Sequence, residues 1–263
     1  MRKVALVLAI FSGFPGAQAM AAAPAKPTTP PPVIQVPAPP PIVRVAPPTP
    51  IAKLPDPGPA TPARRVLANQ LVQVTQPDGL MVESVLAGWQ KGLETEKENF
   101  AALDKLSPGL GAELEKRGRA EMVAMVQEGL PTLRATLTEI FATSATEDEL
   151  RQILAYYQST GGQKLIRKVM LNTQDELPEG GFTAEGLSKS NAKVALSAVG
   201  EMTTEETLTL IKLGSSPAGR RMRAMGPRVQ EASASWLNDL MARVPGRLDP
   251  IVEATISERI KGK

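Results

Sequence analysis

The chain contains no cysteine and no histidine in its 263 residues. The first absence removes disulfides, cysteine nucleophiles and thiolate metal sites, so folding must draw on burial alone even in an oxidising compartment. The second removes histidine-based triads and, together with the first, the usual zinc, haem and copper ligand sets. Aromatic residues are only 3% of the chain, which leaves the core to Leu, Ile, Val, Met and Ala and suits bundles of helices. Alternation of period two, the mark of a half-buried strand, is also missing. An excess of one charge is missing too: 30 basic against 27 acidic residues argues against nucleic acid as a partner, which draws on clustered Lys and Arg.

What is present begins with a targeting layout. Arg2 and Lys3 precede an apolar run from Val4 to Phe14, and small residues follow to Ala17-Gln18-Ala19. This is the order that signal peptidase accepts, with Ala19-Met20-Ala21 as the alternative cut. The run falls short of the roughly 20 apolar residues a membrane span needs, although the alanines that follow keep an uncleaved anchor open as an alternative. No cysteine follows to carry a lipid. Losing Arg2 and Lys3 lowers the formal charge from +3 to +1. From Pro24 to Pro62 stand 16 of the 25 prolines. Such a stretch favours extended polyproline II and cannot build a core. It reads as a spacer; a ligand for a proline-recognising groove would want a basic-flanked repeat that is not there.

After Pro62 apolar residues recur at helical spacing. Leu133, Leu137, Ile140 and Phe141 form one stripe, Leu150, Ile153, Leu154 and Tyr157 the next, and Trp236, Leu237, Leu240 and Met241 another. Ser107-Pro108, Pro131 after Gly129, and Asp249-Pro250 predict helix starts. The expected organisation is a signal over 1–21, a proline-rich tether over 22–62 and an all-α domain over 63–263. That domain is a bundle of short helices and helical hairpins, read as one unit or as subdomains 63–172 and 188–263.

An approximate repeat lies at an offset of 57: Thr146 to Met170 aligns without gaps on Thr203 to Pro227. Thr146 with Glu149, and Thr203 with Glu206, fit capping boxes in which hydroxyl and carboxylate satisfy free backbone donors reciprocally. Ser159 with Gly162, and Ser216 with Gly219, sit where a second helix would start. Each copy therefore reads as two helices joined by a tight turn, through duplication or through two hairpins that use the same caps.

Thr146-Glu147-Asp148-Glu149-Leu150, Tyr156-Tyr157 and Ser159-Thr160-Gly161-Gly162-Gln163-Lys164 resemble the family known as domain of unknown function 2059, with the best match from Thr146 to Lys168. The family pattern has an aromatic before the threonine, Phe-Tyr in the middle and Ser-Pro before the glycine turn. Ala145, Tyr156 and Thr160 depart from it, while Ser216-Pro217-Ala218-Gly219 restores the proline. The resemblance implies an exported, all-helical bacterial protein and brings no activity, cofactor or catalytic residue.

Three candidate sites remain. Ser190-Asn191-Ala192-Lys193 has the Ser-x-x-Lys spacing of penicillin-binding enzymes but lacks the companion Ser-Asp-Asn and Lys-Thr-Gly elements. Glu147, Asp148 and Glu149, like Glu205 and Glu206, could pair as acid and base on an envelope glycan, yet a helix start attracts carboxylates through its dipole alone. Lys164, Arg167 and Lys168, then Arg220, Arg221, Arg223 and Arg228, are two basic clusters that read as solvated faces, or as docking groups for anionic headgroups. The expectation is a non-catalytic periplasmic module, without cofactor or metal, acting through protein or envelope-surface contacts. A binder of an apolar small molecule or lipid between methionine-lined helices is the alternative, and an envelope hydrolase using Ser190 and Lys193 or paired carboxylates the third.

Overall fold

Helix caps and apolar stripes set the architecture, which the computed structural model describes for residues 54, 56–172 and 182–261. The expected signal and most of the tether lie outside the described residues. Nine helices and no strand occur among the described residues: α1 (Pro62–Thr75), α2 (Asp78–Thr95), α3 (Lys97–Leu106), α4 (Leu110–Ser144), α5 (Glu147–Gln158), α6 (Thr160–Asn172), α7 (Ala184–Val199), α8 (Thr204–Ser215) and α9 (Pro217–Lys261). The all-α bundle expected from periodicity is the fold.

Thr61 starts α1: its side chain accepts from the Arg64 N–H at 3.2 Å, with Pro62 at the first helical position. Between α3 and α4 the chain turns at Ser107-Pro108-Gly109-Leu110, where the Leu110 N–H donates to the Ser107 carbonyl at 3.0 Å. Gly109 at φ 78°, ψ 6° supplies the positive φ that the third position of this turn requires. The predicted helix starts at Pro131 and Pro250 are not starts. Pro131 lies inside the 35-residue α4, and Pro227, Pro245 and Pro250 lie inside the 45-residue α9. An interior proline costs about 3 kcal/mol through its missing donor and ring clash. Each fully buried Leu or Met returns roughly 1.5–3 kcal/mol, and an unbroken α4 keeps Met122, Met125, Val126, Leu130, Leu133 and Leu137 in one core.

That core joins Val72 of α1 with α2, α3, α4 and the later part of α9, with Trp89 and Trp236 inside it. The Trp236 indole donates to the Gly129 carbonyl at 3.1 Å, which ties α9 to the middle of α4. A second core joins α1, the end of α4, α5, the end of α8 and the start of α9 around Leu71, Leu150, Ile153 and Met225. Both cores take residues from the 63–172 and the 188–263 portions.

The folded unit begins before residue 62. Arg64 is 4% exposed, and its guanidinium donates to the carbonyls of Pro57 (2.9 Å), Gly58 (2.9 Å), Pro59 and Ala145 (3.1 Å). Ala145 is the C-cap of α4, so the buried cation sits at the negative end of that helix. The last residues of the proline-rich stretch are thus part of the structure, because a buried guanidinium needs their carbonyls.

Candidate functional site

The two copies of the repeat adopt the same local geometry. In α5 the Thr146 N–H donates to Glu149 Oε2 at 2.8 Å and the Glu149 N–H to Thr146 Oγ1 at 3.3 Å. In α8 the Thr203 N–H donates to Glu206 Oε2 at 2.8 Å and the Glu206 N–H to Thr203 Oγ1 at 3.2 Å. At the turns, the Ser159 hydroxyl donates to the Tyr156 carbonyl (2.6 Å) and accepts from the Gly162 N–H (3.2 Å). The Ser216 hydroxyl does the same with the Leu213 carbonyl (2.7 Å) and the Gly219 N–H (3.1 Å). The backbones approach so closely that a Cβ on Gly162 would lie 2.6 Å from Tyr157 Cα, and one on Gly219 would lie 2.8 Å from Gly214 Cα. Only glycine fits there.

The copies also contact each other reciprocally. Lys164 of the first binds Glu206 of the second at 2.9 Å, and Arg221 of the second binds Glu149 of the first at 3.1 Å. The offset of 57 places Lys164 on Arg221 and Glu149 on Glu206, so each cation pairs with the other copy's capping carboxylate. Reciprocity of this kind is the signature of a twofold relation, here within one chain. The two pairs differ in depth. Arg221 and Glu149 side chains are both 8% exposed, whereas Lys164 is 49% exposed. Hydrogen bonds from Lys164 and from the Thr203 backbone hold the Glu206 carboxyl below its ordinary pKa. The Tyr157 hydroxyl donates to Met222 Sδ at 3.5 Å, and the Tyr156 hydroxyl is buried with no hydrogen-bond partner.

The basic clusters are engaged inside the molecule. Arg220 and Arg223 donate to the last carbonyls of α8, Ser215 at 3.0 Å and Gly214 at 2.9 Å, as C-terminal caps. Arg228 donates to the Ser144 hydroxyl at 2.7 Å, Arg167 pairs with Glu83 at 3.6 Å, and Lys168 pairs with Glu201. The expectation of a wholly solvated second cluster fails at Arg221, whose depth follows from packing that capping chemistry does not reveal. The gapless alignment itself carried a signal for the cross-pairing, since it superposes a cation on a cation and a carboxylate on a carboxylate.

The remaining candidates do not converge. Ser190 on α7 is 7% exposed while Lys193, one turn on, is exposed. Glu147 and Asp148 both bind Arg151, the latter at 3.0 Å, on a solvated first turn. Among the described residues no group of three or more acidic side chains could hold a metal ion, and no helix is long and apolar enough to cross a membrane.

One surface was not anticipated from the sequence. Leu154 on α5 is 8% exposed because α1 lies over it, packing Leu67, Ala68 and Leu71 into the same cluster. Its equivalent at the offset of 57 is Ile211 on α8, which is 58% exposed, with Leu208 beside it at 51%. No helix covers the second copy where α1 covers the first among the described residues.

No curated protein and no solved structure matches the chain. Residues 131–175, which comprise the second half of α4, the capped α5, the Ser-Gly turn and α6, match the family model described as "Uncharacterized protein conserved in bacteria (DUF2059)", and the resemblance expected from Thr146 to Lys168 falls within that segment.

Proposed function

We propose that this protein is an exported, non-catalytic helical module that works through contacts with protein surfaces, made by the uncovered face of α8. The observation that carries the reading is the pair Leu208 and Ile211, 51% and 58% exposed and one turn apart on a single helix face. Large apolar side chains side by side in water mark an interaction surface more than scattered single ones do. The internal bonds made by both basic clusters favour a protein partner over an anionic envelope surface, because cations already bonded have less to gain from a headgroup. Export rests on the charged, apolar and small-residue order of residues 1–21.

The test places a photo-crosslinking amino acid at Leu208 or Ile211 in living cells, with Val66 as control, since Val66 is also 58% exposed but lies on α1. Discrete adducts from α8 and none from Val66 are expected, in a periplasmic fraction where the intact mass shows cleavage after Ala19 or Ala21. Absence of α8 adducts overturns the contact reading, and a species retaining Met1 to Phe14 in the membrane pellet overturns export.

A further inference from the structure

Resting on that reading of α8, we propose that the occupant of its free face is a second copy of this chain, with two α8 helices pairing antiparallel about a twofold axis. Thr204, Leu208, Ile211 and Ser215 are all exposed and uncharged, and their spacing of four, three and four is that of a helix-pairing seam. Glu205 and Lys212 stand seven residues apart on one flank of this seam, both exposed, and neither forms an ion pair with another described residue. The flank is therefore acidic at its start and basic at its end.

Antiparallel pairing uses that polarity. With Leu208 opposite Ile211 of the second copy, Glu205 falls beside Lys212 of that copy, and Lys212 beside its Glu205. One patch thereby satisfies itself twice, as a twofold interface requires. Parallel pairing would set Glu205 beside Gly200 and Lys212 beside Thr207, and both charges would go unanswered. In the first copy only Leu154, the equivalent of Ile211, is buried, while Arg151 and Gln158 stand exposed at the places of Leu208 and Ser215, so the uncharged seam belongs to α8 alone. The α1 of another folded molecule cannot serve, because Ala68, Leu71 and Val72 are at most 1% exposed in their own core. A seam of one 12-residue helix is short, so the dimer should be reversible and concentration-dependent.

Sedimentation equilibrium of the processed full-length chain should show monomer giving way to dimer as concentration rises. Ile211→Asp should leave monomer only. Lys212→Glu should weaken association about tenfold, and Glu205→Lys combined with Lys212→Glu should restore it, because the exchanged charges face each other again. The chain has no cysteine, so Leu208→Cys and Ile211→Cys each introduce a sole thiol, and oxidising the two variants together should yield a covalent 208–211 dimer that Leu208→Cys mixed with Val66→Cys does not. All these positions are exposed, and circular dichroism confirms that each variant folds. A chain monomeric at every concentration, or a dimer indifferent to Ile211→Asp and to the charge exchange, overturns the proposal. If it is monomeric while Leu208 captures a different protein in cells, the second copy is wrong and the protein-contact reading stands. If Leu208 captures nothing, both fall.

Discussion

Replacing Glu149 with Ala should destabilise this protein far more than the same change at Glu206, although the two carboxylates occupy equivalent places in the repeat. Removing Glu149 ends one half of a capping box and leaves the Arg221 guanidinium, 8% exposed, without its carboxylate. Breaking a buried ion pair by removing one partner costs about 3–5 kcal/mol. With a urea slope of about 2 kcal/mol per molar, the midpoint should fall by roughly 2 M. The Glu206 pair is different: Lys164 is 49% exposed and turns to water when its partner goes, so the loss there should be a small fraction of the other. Thr146→Ala and Thr203→Ala isolate the cap alone and should each cost about 1 kcal/mol. Urea unfolding followed at 222 nm measures all four. The double variant Glu149→Leu with Arg221→Met should recover most of the loss, since apolar replacement removes both buried charges together. Equal midpoints for Glu149→Ala and Glu206→Ala, or no recovery in the double variant, would refute the argument from burial.

Gly162→Ala and Gly219→Ala should each destabilise by more than the 1–3 kcal/mol or so that overpacking usually costs, because the added carbon meets backbone that cannot move aside. Gly226→Ala and Gly246→Ala in α9, where a Cβ meets nothing within 4 Å, should instead stabilise by about 0.4–1 kcal/mol; thermal melts of the four variants check both signs. Deleting residues 22–53 should leave the melting temperature within a few degrees, whereas deleting 22–60 should lower it clearly, because Arg64 then loses three of its four carbonyl acceptors. Equal melting temperatures for the two deletions would mean that the Arg64 cluster contributes nothing.

The capping boxes at Thr146 and Thr203, the serine turns and the required glycines were legible in the sequence, because each depends on partners within a few residues. The all-α class was legible for the same reason, as periodicity is a local property. Helix length was not. Prolines that mark helix starts in isolation are carried inside α4 and α9, where long-range packing outweighs their local cost. Depth was not legible either. Glu149 and Glu206 have the same motif, yet α1 and the residues before it close over the start of α5, with Arg64 reaching the Ala145 carbonyl 81 residues away, while no comparable element lies on α8 among the described residues. One equivalent carboxylate thus became a buried partner for Arg221, and Ile211, whose equivalent Leu154 is buried beneath α1, stayed exposed beside Leu208. Local hydrogen bonding determined which residues cap; tertiary packing alone decided which of them are buried and which face remains open.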